Sequence, residues 1–153
     1  MADTQYIKRS VEPHVREWLR NKYGAKFSEG GMRLLTGSSH KFDAVSTDNT
    51  IVAAFVCNRP RTGTGNENTG GVRKALNDLQ FLNLLPASVK RRALVFTDAE
   101  FLTLIRKRGK RVGTDNIEFL YCELPKHLAL ALEKVLDGCR LEQKAFLPAT
   151  ERP

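Results

Sequence analysis

The sequence predicts an α/β fold at the α+β boundary: a three-layer sandwich around a mixed central β-sheet. Three observations predict it. The run Ile51-Val52-Ala53-Ala54-Phe55-Val56-Cys57 has no polar face, which suits an interior strand covered on both sides. Three strand-like stretches cluster ahead of any second helix, as in an antiparallel meander. Helix and strand then alternate, which suggests crossover units with parallel pairing. At 153 residues the chain fits one domain, 1–153, with one core; residues 1–9 and 139–153 are expected to be flexible ends.

The elements follow in order. Ser10 is placed to cap a helix from about Val11 to Tyr23, with Glu12 in the first turn, where a carboxylate meets free backbone N–H groups. Val11, Val15, Trp18 and Leu19 form its apolar stripe and Gly24 ends it. Phe27 to Thr36 reads as a first strand, interrupted by Glu29-Gly30-Gly31, and Gly37 to His40 as a turn. Lys41 to Asn58 reads as two strands joined at Asp48-Asn49-Thr50, whose residue types suit a tight turn. Arg59 to Gly71 is a polar, glycine-rich loop, expected to be irregular and to move.

A helix is expected from Val72 to about Leu85, with Val72, Ala75, Leu76, Leu79 and Leu82 facing the core and Pro86 closing it. Lys90-Arg91-Arg92 leads into a short buried strand, Ala93 to Phe96. Thr97 or Asp98 caps the next helix, whose stripe is Phe101, Leu104 and Ile105 and which ends in the basic stretch Arg106 to Arg111. Ile117 to Cys122 is a further strand. Pro125 opens a last helix, which runs to Leu136 and is stopped by Gly138.

Hydrophobic residues at 41% and charged residues at 27% are ordinary for a folded domain. The net charge of +8 is not, and it favours a polyanionic partner. Cys57, Cys122 and Cys139 make an odd count without a CxxC pair, so neither a disulfide framework nor a zinc cluster is expected. Free thiols suit a reducing compartment. The N-terminus has no charged segment followed by an apolar one, and no stretch is long enough to cross a bilayer. The expectation is a cytoplasmic protein with no membrane partner.

Phe42-Asp43, a turn, and Ile51-Val52-Ala53, set behind a helix and a first strand, resemble the restriction-endonuclease-like, or PD-(D/E)XK, nuclease superfamily. The resemblance spans roughly Ser10 to Leu136. It implies a mixed-sheet nuclease scaffold with an Asp on the second strand and Glu-x-Lys on the third. Asp43 matches the first position, while the Glu and Lys positions fall on Ala54 and Val56. Phosphodiester hydrolysis at such a site needs at least two carboxylates on a divalent cation and a positive group for the developing charge. Alanine and valine supply neither. The resemblance therefore implies a catalytically degenerate scaffold with no cofactor.

The alternative is a divergent metal-dependent DNA endonuclease with relocated groups. Asp78 would supply the second carboxylate and Lys74, one turn before it on the same face, the positive charge. Glu17 would take the accessory position on the first helix, with Glu12 the other candidate there. In that alternative Asp43 and Asp78 hold Mg2+. The ordinary reading of Asp78 and Lys74 is a solvent-facing salt pair, and of Glu17 a helix partner of Arg20.

Basic residues cluster at Lys8-Arg9, at Arg59 and Arg61, at Lys90-Arg91-Arg92, and at Arg106, Lys107, Arg108, Lys110 and Arg111. Any one cluster alone is a solvated surface; together they suit phosphate contact. Basic and aromatic residues do not interleave as on a single-strand platform, so duplex DNA is the favoured partner. A homodimer, or service as the structural partner of an active nuclease, is the remaining alternative. His14, His40 and His127 have no metal-ligand spacing, and Gly63-Thr64-Gly65 lacks the residues that complete a nucleotide-binding loop.

Overall fold

A computed structural model describes residues 4–145. Five strands form one sheet in sequence order: β1 (Phe27–Arg33), β2 (Ser39–Ser46), β3 (Ile51–Val56), β4 (Arg91–Phe96) and β5 (Glu118–Tyr121). β1, β2 and β3 pair antiparallel, whereas β3, β4 and β5 pair parallel. The sheet is therefore mixed, and β3 is the strand at which its direction rule changes. Helices α1 (Glu12–Tyr23), α2 (Thr69–Asn83), α3 (Ala99–Arg108) and α4 (Lys126–Ala145) flank it.

Strand parity sorts the core into two layers. Val52, Ala54, Val56, Leu94 and Phe96 pack under α2 and α3, with Val72, Ala75, Leu79, Leu82, Phe101 and Ile105. Ala53, Phe55, Ala93 and Val95 pack on the opposite face, with Val11, Val15 and Leu19 of the first helix and Leu132 of α4. β3 is thus covered on both faces, as its unbroken apolar run requires.

Several boundaries differ from the sequence expectation. α1 spans Glu12–Tyr23, within a residue of the expected Val11 to Tyr23, but Ser10 is not its cap: a short helical turn at Thr4–Tyr6 and a π-helical segment at Ile7–Val11 precede it. Tyr6 and Ile7 pack against the same core layer as Val11, so the apolar stripe continues backward past Ser10. The π segment is where Glu12 N–H bonds to Ile7 O, five residues back. Pro13, which has no N–H to give, follows at once. α2 starts at Thr69 rather than Val72, because the Asn68 side chain accepts from Gly71 N–H at 3.1 Å. α4 runs through Gly138 to Ala145; a helical glycine costs only about 1 kcal/mol against alanine. The segments expected to be flexible, 1–9 and 139–153, lie in part outside the described residues, as does the tail after Ala145.

The loop after β3 has more structure than its composition suggests. Arg61 and Glu67 form an antiparallel bridge, Thr62 N–H donates to Asn66 O at 2.7 Å, and Asn68 N–H donates to Pro60 O at 2.9 Å. Gly65 sits at the tip with φ of 85°, a left-handed conformation that glycine adopts without steric cost. The expected irregular loop is a small hairpin.

Candidate functional site

The site is built where β2 leaves β3. In β2 two residues, Asp43 and Ala44, stand opposite the single Glu29 of β1, because the register slips between Ser28↔Val45 and Gly30↔Phe42. Such a bulge bends a strand and re-aims its side chains. Phe42 and Val45 consequently enter the same core layer while Ala44 enters the other. The β2–β3 ladder holds at Ala44↔Ala53 and Val45↔Val52. Past that point Phe55 N–H is bound by the Asp43 side chain, Oδ2 accepting at 2.7 Å. The carboxylate stands in for a strand partner in the fork.

Around Asp43 the chain gathers charge from three elements. From α1, Arg16 Nε donates to the Asp43 carbonyl at 2.8 Å, and its Nη2 lies 3.2 Å from Glu12 and 3.6 Å from Glu29. Lys41 of β2 also pairs with Glu29. Glu12 and Arg16 side chains are only 12% and 18% exposed. Burial first, and the neighbouring Asp43 charge second, push the Glu12 carboxyl above the usual carboxylate range, against the pull of Arg16.

From α2, Lys74 pairs with Asp78 at 3.0 Å, and the Asp78 side chain is 14% exposed. The Asp78 end of the pair is sheltered, whereas Lys74 keeps 58% of its side-chain surface and faces solvent. Burial raises the Asp78 carboxyl, with Lys74 opposing and the Asp43 charge adding to the rise. Burial works against the Lys74 ammonium, but Asp78 and then Asp43 hold it above the usual lysine value. The Asp43 charge thus acts on both members of the pair. One helical turn further on, Phe81 stacks on His40 of β2, ring centroids 3.7 Å apart and 12° from parallel, which pins α2 over this half of β2.

Of the sequence candidates, Lys74 and Asp78 pair with each other, and the Asp43 charge acts on both. Glu17 does not join them. It is exposed and pairs with Arg20 at 3.8 Å, because one residue along the helix rotates a side chain by about 100°; the inward glutamate is Glu12. Ala54 and Val56 are 3% and 2% exposed and belong to the core under α2. Cys57 lies beside the fork, where burial, with the Glu12 and Asp43 charges, pushes its thiol up to about 12. It is neutral near pH 7 and a poor nucleophile.

Among the described residues, no group of three or more His, Cys, Asp and Glu side chains is placed to hold a metal ion. One Asp43 oxygen is already bound to Phe55 N–H, and the Asp78 carboxylate is bound to Lys74.

The basic candidates have separate fates. Arg92 donates to Leu82 O at 3.0 Å and Pro86 O at 3.1 Å, so its guanidinium holds the end of α2. Arg91 pairs with Glu118 at 3.7 Å and lies over Tyr23, and Arg106 lies over Phe119. Arg59 pairs with Asp137 at 2.6 Å, Arg61 with Glu100 at 3.7 Å, and Arg108 with Glu67. Lys90, Lys107, Lys110 and Arg111 are exposed and have no carboxylate within ion-pair distance among the described residues. No helix among those residues is long and apolar enough to cross a membrane.

In comparisons with protein-family models, curated proteins and solved structures, nothing matched this chain.

Proposed function

We propose that this chain is a nucleic-acid-binding module on a catalytically degenerate nuclease scaffold, with duplex DNA as the favoured partner. The observation that carries the reading is the fork. A nuclease of the restriction-endonuclease-like kind sets its carboxylates and lysine around the parting of the second and third strands. Here Asp43 stands in that place, bound to the backbone of β3. The two β3 positions that would complete the chemistry, Ala54 and Val56, are spent on the core. The net charge of +8 supplies the attraction to phosphate. Electrophoretic mobility and fluorescence anisotropy with unrelated duplexes at several salt concentrations test it. Binding should be insensitive to sequence, and log affinity should fall with log salt by roughly one unit for each phosphate met by Lys or Arg. No binding to any nucleic acid at about 50 mM salt removes the reading.

One observation favours a second reading, a nuclease with relocated groups. The Asp43 charge acts on both Lys74 and Asp78, the coupling such a relocation requires. It then needs cleavage of duplex or branched DNA that depends on both Asp43 and Asp78.

A further inference from the structure

We infer that the groove between the Pro60–Glu67 hairpin and α3 is the duplex-backbone contact surface, its walls linked by two crosswise ion pairs that phosphates displace. The inference rests on the nucleic-acid-binding reading and names the surface of that reading.

The groove holds about 430 Å³, and Pro60 and Leu104 contribute apolar surface to its lining. Its two walls exchange charge in opposite senses. Arg61 of the hairpin reaches Glu100 of α3, whereas Glu67 of the hairpin pairs with Arg108 of α3. Each acid therefore covers a cation on the facing wall. The arrangement links the two walls without making the groove neutral, since Lys107 also lines it and has no acidic partner among the described residues. Lys110 and Arg111 continue the cationic stretch on the 3-10 turn that follows α3.

Exposure decides how firmly the latch is closed. All four paired side chains retain between 38% and 68% of their accessible surface, and exposed ion pairs are weak and salt-screened. Arg108 lowers the Glu67 carboxyl below its usual range, so the acid stays ionised and competes for the guanidinium down to mildly acidic pH. A phosphodiester offers each arginine a fork-matched anion. Releasing the duplex's condensed counterions adds a driving force that the internal carboxylate does not provide. A polyanion that engages Arg61 and Arg108 at successive phosphates wins the exchange, whereas a single small anion gains no such cooperative term.

The latch predicts opposite effects from its two halves. With a duplex of about 20 base pairs, Glu67→Gln/Glu100→Gln should tighten binding by about five-fold, the scale of releasing one to two exposed pairs. Arg61→Gln/Arg108→Gln should weaken it and lower the salt slope by roughly two units. A control pair of equal charge change, Glu17→Gln/Glu133→Gln, should tighten binding less than the latch pair. Thermal melts confirm that each variant is folded. Wild-type binding that neither latch nor arginine substitutions change overturns this inference and leaves the nucleic-acid reading standing. A control pair that tightens binding as much as the latch pair overturns the latch. Absence of any duplex binding by the wild type overturns the reading beneath it.

Discussion

The side chain of Asp43 accepts the backbone N–H of Phe55 at 2.7 Å, across the point where β2 parts from β3. A buried N–H without an acceptor costs about 1–3 kcal/mol, so this carboxylate has a structural duty whatever else it does. Asp43→Ala should lower unfolding free energy by about that amount in urea denaturation. Asp43→Asn keeps an oxygen for Phe55 and should cost clearly less. Equal losses in the two variants would mean that charge, not the acceptor, matters at this position.

The inward glutamate predicts a pH dependence. Glu12 is held above its ordinary pKa by burial and by the Asp43 charge. Between its unfolded and folded pKa values the folded state therefore binds more protons than the unfolded state, and stability falls as pH rises through that window. Glu12→Gln removes the charged form. It should exceed the wild type in stability most at pH 7, and its advantage should shrink as pH drops toward the ordinary glutamate value. Paired denaturation curves at pH 4, 5, 6 and 7 measure this. An advantage that grows on acidification would contradict the sign.

Arg92 provides a separate test of what the basic residues are for. Its guanidinium bonds the Leu82 and Pro86 carbonyls, adding a charged donor to the turn that follows α2. Arg92→Lys retains the charge but not the planar fork. It should destabilise by about 1–2 kcal/mol, on the scale of lost charge-assisted hydrogen bonds. The salt slope of duplex binding should stay unchanged. A reduced slope would give Arg92 a phosphate.

Much of this architecture was legible in the sequence because the signals were local. β3 announced itself by an apolar run, Asp98 by its position before Phe101, whose N–H it accepts at 2.8 Å, and the Asp48–Asn49 turn by its residue types. The cap of the first helix was misjudged because Ser10 is a sound cap by type, yet the packing of Tyr6 and Ile7 against the core overrides it. Glu12 and Glu17 could not be separated from spacing. Which side of α1 meets the fork is decided by docking on the sheet, which leaves no pattern in sequence. The sheltered state of Asp78 was hidden for the same reason: an i, i+4 Lys–Asp pair reads alike on a solvent face and under a sheet edge.

Gly71 and Asn68 form a pair whose substitutions should not add. A Cβ on Gly71 would lie 2.5 Å from Asn68 Nδ2 and 2.9 Å from its Cγ, and the three nearest atoms all belong to Asn68. Gly71→Ala should therefore evict the Asn68 cap and cost about 1 kcal/mol, as Asn68→Ala should by itself. In the Asn68→Ala background the clash is gone, and Gly71→Ala should become stabilising by a few tenths to about 1 kcal/mol through helix propensity. The double-mutant cycle reads the coupling directly, and additive losses would show that the cap was not what the methyl displaced.

The last prediction concerns cleavage, and it is negative. We expect no magnesium- or manganese-dependent hydrolysis of duplex or branched DNA by the native protein. The Asp43 charge acts on Asp78, but one carboxylate is bound to Phe55 N–H and the other to Lys74. A cation between them would be held mainly by water, too loosely to align a hydroxide with a phosphate. Ala54→Glu would not restore the site cheaply. Ala54 is 3% exposed in the core layer under α2, so the added carboxylate would enter a low-dielectric site without a partner, at a cost of several kcal/mol. The assay uses labelled linear, nicked and four-way substrates with and without divalent metal, for the native chain beside Asp43→Asn, Asp78→Asn and Lys74→Met. Metal-dependent cleavage abolished by both aspartate substitutions would establish the relocated nuclease and retire the degenerate scaffold. Cleavage that survives all three substitutions would belong to a contaminant or to groups outside the fork. Silence on every substrate, together with salt-sensitive duplex binding, is the expected result.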